Sequence, residues 1–286
     1  MLREFTLELR TQESWSWLVA IDLFLSGIGA GLYLISQIAG FALGSALGLA
    51  LVVFGSMVLM RELARPQQAW RSFSRAATAW MSRGSIVVLL FIALGVLNLA
   101  PNVISGLPWT SGAALGYIAA FLAVIIVLYP GFLFASSPAI PFWNTPLLPL
   151  LFGVYALLGG VAALFIMLSA PGANVLPGID TLPALGLWVL LAAAILTLIH
   201  LLVMLNGGVA SQEAVRMLTR GRLAVPFLLG VAGAGLIIPA ALLLAVYLGQ
   251  ASPAVPLLFI SGVFILGGGL LMRYCLLRAG VYGPLI

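Results

Sequence analysis

Residues 16–60, SWLVAIDLFLSGIGAGLYLISQIAGFALGSALGLALVVFGSMVLM, hold no charge except Asp22. As one continuous helix they would be about 67 Å long at 1.5 Å per residue, more than twice the roughly 30 Å hydrocarbon core of a bilayer. Water-soluble folds do not carry such a stretch, so it reads as two membrane-crossing helices joined near Gly40. The rest of the protein repeats the pattern. Apolar runs bounded by proline, glycine and charge predict spans at about 16–39, 41–60, 84–100, 111–131, 147–170, 181–206, 223–248 and 253–273. The expected fold is all-α: a polytopic membrane protein of about eight transmembrane helices in a bundle, with residues 1–286 as a single integral domain.

Composition agrees. Of 286 residues, 63% are apolar and 7% charged, against about 25% charged in an ordinary soluble domain. Eight spans leave no room for a separate soluble catalytic domain. One cysteine and one histidine, Cys275 and His200, exclude an iron–sulfur cluster or a bis-histidine haem held by this protein alone. The mixed charges of residues 1–15, and Asp22 in the apolar stretch after them, do not read as a cleaved signal peptide.

The twelve basic residues are all arginine. An even span count puts the amino terminus, the second, fourth and sixth loops and the carboxyl terminus on one side, here side A. Every arginine then falls on side A, and side B keeps only Asp180. The positive-inside rule makes side A cytoplasmic, with both termini there, in the inner membrane. An electrostatic grip on a soluble subunit would use the same arginines. Within the second loop, Arg71, Arg75 and Arg83 alternate with aromatic residues, as in an interfacial hairpin. They are the expected docking points for a partner's acidic groups or carbonyls, or else for lipid phosphate. Nucleic acid is not an expected partner.

Ionisable groups inside spans are costly and mark functional candidates. Asp22 lies about two turns into helix 1 from side A, and His200 lies at comparable depth in helix 6. Tyr129 closes helix 4 on the same side. An acid, an imidazole and a phenol at one depth suit a quinone, which needs an apolar slot for its tail, donors for its carbonyls and a titratable group for its protons. Asp22 is the expected proton-exchanging residue; Tyr129 and His200 are expected to orient the head group, with an interfacial anchor and an interhelical hydrogen bond as their alternatives. Asp22, Ser26, Tyr33 and Gln37 also share one helical face. That stripe is either a candidate proton route or a set of interhelical hydrogen bonds. The proline-rich fourth loop, with Phe132, Phe134, Phe142 and Trp143, is expected to cap the slot or dock the partner. No metal-ligand spacing, Ser-His-Asp set or Walker loop is present.

Four segments carry a resemblance: WSWLVAIDLFLSGIGAGLYL (15–34), RSFSRAATAWMSRGS (71–85), YPGFLFASSPAIPFWNTPLLPLLF (129–152) and RYCLLRAGVY (273–282). They are similar to the NrfD family, which includes the membrane subunit of polysulfide reductase. The resemblance implies an eight-helix, haem-free subunit that binds a quinone (menaquinone or ubiquinone). Such a subunit exchanges electrons with a ferredoxin-like iron–sulfur subunit and through it with a molybdopterin catalytic subunit. It also implies that the quinone is held early in helix 1 and by a tyrosine ending helix 4, positions matching Asp22 and Tyr129. That relative has a histidine near the place of Asp22, and it docks its soluble subunits outside the cytoplasm, on the face corresponding to side A. The arginine count puts side A inside. The competing functions are a secondary transporter, which would show breaks near mid-membrane, and a non-redox membrane anchor.

Overall fold

The computed structural model describes residues 9–62, 80–103, 113–169, 181–249 and 254–283. Helices run over Trp17–Ile38 (α1), Ala42–Glu62 (α2), Trp80–Val103 (α3), Ala113–Ala135 (α4), Leu147–Leu168 (α5), Leu182–Leu205 (α6), Val209–Thr219 (α7), Ile238–Tyr247 (α8) and Ala254–Arg278 (α9). A π-helical stretch, Val225–Ile237, leads directly into α8, and the two together make one span. Eight of the resulting rods are long and apolar enough to cross a membrane. The expected spans are therefore present, with shifted ends. The fourth continues past Pro130 to Ala135 and the eighth runs on to Arg278.

The joint between the first two spans falls where the sequence places it. Gly40 adopts φ +67°, a left-handed conformation that glycine takes without steric penalty, and α2 starts two residues later. The hairpin then closes tightly. A Cβ at Gly29 of α1 would sit 2.5 Å from the Gly48 carbonyl of α2, so the backbones touch only because both positions lack side chains. Gly31 and Gly160 do the same between α1 and α5.

This leaves α1 and α5 as the most buried rods, with α2, α3 and α6 presenting most of their surface outward to lipid. Helix α1 packs on α2, α4, α5 and α9, whereas α6 packs on α5 and α8. Two cores result. One, with Tyr33, Leu49, Phe91, Ala123 and Ile126, fills the group α1–α4. The larger runs along α5, α6, the π-helical span and α9. The π-helical stretch lies against α9, where Gly235 and Gly268 meet backbone to backbone, so of the glycine run at 267–269 it is Gly268 that serves this close packing, while Gly267 meets nothing within 4 Å among the described residues. Its wider winding is visible at Ile238, whose N–H donates five residues back to the Gly233 carbonyl.

Residues 10–12 and 280–282, before the first span and after the last, pair with each other on side A. Gln12 N–H donates to Gly280 O (2.9 Å), Tyr282 N–H to Arg10 O (2.9 Å), and Thr11 and Val281 form an antiparallel bridge. An even number of crossings is thus tied down by direct pairing of the two ends. The short α7 lies outside the spanning set, with Ala214, Val215 and Leu218 turned inward. Arg216 is turned outward, donating to Glu213 at 2.7 and 3.0 Å.

Candidate functional site

Asp22 is the sixth residue of α1, whose first turn is capped by Ser16 accepting from Leu18 N–H. Its carboxylate is buried and accepts from Ser26 Oγ at 3.0 Å, one turn on. Ser26 fits here because Gly55 of α2 has no side chain; a Cβ there would stand 2.6 Å from the hydroxyl. From the other side comes Tyr129 of α4, close enough to feel the charge of Asp22. Its ring occupies a notch at Gly84 of α3, where any Cβ would overlap the phenol. Residues of α1, α2, α3 and α4 therefore bring a carboxylate, a hydroxyl and a phenol together at the side A end of the first core. Arg83, next to that notch, is exposed.

His200 does not join them. Helix α6 is a neighbour of α5 and α8, not of α1 or α4. The imidazole packs edge-on against Phe142, with ring centroids 4.9 Å apart, and among the described residues neither ring nitrogen has a hydrogen-bond partner. One turn before it, Thr197 shares a 3.1 Å hydrogen bond with Tyr155 of α5. Equal depth along the membrane normal does not imply proximity, because α6 packs on α5 and α8 whereas α1 and α4 pack on each other and on α5.

The fourth loop is also corrected. Phe142 and Trp143 are each 1% exposed and so cannot form a docking face. Trp143 Nε1–H donates to Leu276 O at 2.9 Å, and Trp15, Phe134, Trp143 and Phe152 make one cluster of edge and stacked rings. An uncharged, proline-stiffened loop on side A turns inward because its aromatics have a pocket to fill between the two termini. Phe132, by contrast, is exposed. Arg71 and Arg75 lie outside the described residues.

The polar stripe of α1 resolves into two parts. Asp22 and Ser26 belong to the site. Tyr33 and Gln37 belong to a second cluster near side B, where Asn98 Nδ2 donates to the Tyr33 hydroxyl (3.2 Å) and Ser45 Oγ to Gln37 Oε1 (3.2 Å). The seven-residue step from Ser26 to Tyr33 spans about 10 Å of helix, through Gly29 and Ala30. Sequence patterning missed Asn98 and Ser45, which sit on other helices, and it missed Arg273. That arginine was expected on side A; instead it is 3% exposed inside the extended α9.

A quinone fits the site's chemistry. The buried Asp22 carboxylate can take up or release a proton, and the Tyr129 phenol can donate to a carbonyl oxygen. Among the described residues no group of three or more His, Cys, Asp and Glu gathers where a metal could sit.

Comparison with known proteins agrees with this architecture. The protein is 29% identical to one of the polypeptides of polysulfide reductase from Wolinella succinogenes, over 93% of its own length and 94% of that relative's. It is 28% identical to protein NrfD of Escherichia coli K12 over the same shares. A shorter match, 28% identity over 62% of this protein and 59% of the relative, is to one of the subunits of sulfite dehydrogenase from Allochromatium vinosum. The family model described as "Polysulphide reductase, NrfD" matches residues 6–283, from before α1 to the paired carboxyl-terminal segment, and the protein therefore belongs to the NrfD family.

Proposed function

We propose that this protein is the quinone-binding integral subunit of a multi-subunit oxidoreductase. In this reading it exchanges electrons between the membrane quinone pool and a partner iron–sulfur subunit, which connects to a molybdopterin catalytic subunit. The observation that carries the reading is the buried Asp22 carboxylate, hydrogen-bonded to Ser26 and within electrostatic range of the Tyr129 phenol, at one end of the α1–α4 group. Two of the relatives are named as parts of redox enzymes, a polysulfide reductase and a sulfite dehydrogenase, which points the same way. A bound quinone would supply two-electron, two-proton redox chemistry; the protein has to supply orientation and proton exchange.

Each residue has a definite part. Tyr129, seated at Gly84, directs its hydroxyl toward a carbonyl of the head group. Asp22 holds or yields the proton that accompanies reduction or oxidation, and Ser26 keeps the carboxylate turned into the group. The apolar walls exclude water, which strengthens both interactions. Protons reach Asp22 from side A, since the nearest polar cluster toward side B lies about 10 Å further along α1. Arg83 at the head of α3 faces the partner subunit. Both termini and this docking face are cytoplasmic by the arginine distribution.

The test is quinol-linked electron transfer in the purified complex carrying Asp22→Leu. Loss of transfer with normal membrane insertion supports the reading. Full transfer by that variant would reduce the protein to an anchor and discard the quinone site.

A further inference from the structure

Arg273 is the most unusual residue in the bundle. Its guanidinium is buried among α1, α5 and α9, and among the described residues no carboxylate is in ion-pair contact with it. Nε donates to the Leu23 carbonyl of α1 at 3.1 Å and Nη1 to the Gly269 carbonyl of its own helix at 2.9 Å. Cζ stands 5.6 Å from the centre of the Phe24 ring, an added cation–π attraction. Among the described residues Nη2 has no hydrogen-bond partner, and it lies against Gly27, where a Cβ would come within 2.9 Å.

An unneutralised cation is an expensive way to fill space in a membrane protein, and a methionine would fill it more cheaply. What an apolar residue cannot do is bridge two carbonyls on different helices. A planar fork with fixed donor directions fixes both the height and the rotation of one helix against the other. The carbonyl it holds on α1 belongs to Leu23, the residue after Asp22. The guanidinium lies against Gly27, which also faces Ala156 of α5, whereas the Asp22 carboxylate accepts from Ser26, whose hydroxyl faces Gly55 of α2, so Arg273 grips α1 on its α5 and α9 side while Asp22 lies on its α2 side.

We infer that Arg273 is a positioning residue for Asp22: its fork on Leu23 and Gly269 sets the rotation of α1 that holds the carboxylate toward Tyr129. The inference rests on the quinone reading above. Gly27 belongs to the same device, because its missing side chain is what admits the guanidinium.

The experiment compares Arg273→Met, Arg273→Lys, Gly27→Ala, Asp22→Asn and the double variant Arg273→Met/Asp22→Asn in the purified complex. It reads quinol kcat and KM per assembled complex. Arg273→Met is expected to lower kcat about tenfold or more with KM within about twofold, since proton exchange is misaligned while the head group is still held. Lysine is not expected to rescue, because one ammonium cannot span both carbonyls in the same geometry. The double variant should be no slower than Asp22→Asn alone, the non-additivity of residues acting through one step. Wild-type kcat in Arg273→Met, or a loss that multiplies on top of Asp22→Asn, overturns the inference and leaves the quinone reading standing. If Arg273→Met does not assemble, Gly27→Ala decides, because it keeps the charge and displaces the fork. A several-fold fall in kcat that vanishes in the Asp22→Asn background supports the inference, and wild-type kcat overturns it. Normal turnover in Asp22→Asn itself defeats the quinone reading instead.

Discussion

The α1–α4 group holds two polar clusters at opposite ends, and they are built on different logic. Near side B, Tyr33, Asn98, Gln37 and Ser45 are neutral and form two hydrogen-bonded pairs, Asn98 with Tyr33 between α3 and α1 and Ser45 with Gln37 between α2 and α1. Near side A, Asp22 carries an ionisable carboxylate whose described hydrogen bond is to Ser26, with the Tyr129 phenol within electrostatic range. The first cluster consumes its own donors and acceptors, as interhelical polar contacts do when they hold helices together. The second keeps an ionisable acceptor at a buried place, which in a membrane protein marks function. Polarity inside a span is therefore not itself a functional sign; what distinguishes the two ends is the capacity to carry charge and exchange a proton.

That contrast can be broken from either end. Asp22→Leu should have the largest effect: quinol-linked turnover of the purified complex falls at least about a hundredfold, the lower end of what a positioned acid or base contributes, with the protein still inserted. Tyr129→Phe should be milder, removing one hydroxyl donor worth about 1 kcal/mol, or roughly fivefold weaker binding of a quinone analogue measured by titration. At the other end, Asn98→Leu should leave the Tyr33 hydroxyl unpaired and lower the detergent melting temperature by the equivalent of about 1 kcal/mol, with turnover per folded complex unchanged. Gln37→Leu should be smallest, leaving proton uptake per electron at the wild-type value. A changed ratio there would make the whole α1 stripe a conduit and erase the distinction between its ends.

The spans were readable in the sequence because membrane-crossing length and apolar composition are physical requirements, and Gly40 marked the joint that divides a 45-residue run. Asp22 and Tyr129 stand out in the sequence as rare polar groups in apolar spans, and their role stays a proposal. What depth does not carry is the order of helices around the bundle, and so His200 sits on a helix that packs on α5 and α8 and not on α1 or α4. Phe142 and Trp143 were misread because a polar-side loop of aromatics resembles a docking surface; only the pairing of residues 10–12 with 280–282 shows that it has an inner pocket to fill. Arg273 was placed on side A for a related reason. The last helix runs five residues beyond the end expected from hydropathy, drawing that cation inside, where carbonyls of α1 and α9 receive it.

The central claim, that the Asp22–Tyr129 end of the α1–α4 group binds a quinone, is tested most directly by extraction. The complex is purified in mild detergent from membranes, and quinone per polypeptide is measured for wild type and for Asp22→Leu combined with Tyr129→Phe. About one quinone per wild-type polypeptide, and a loss of most of it in the double variant at equal assembly, is the predicted result. Equal quinone in both preparations, or none in either together with no binding of an added quinone analogue by wild type, would contradict it.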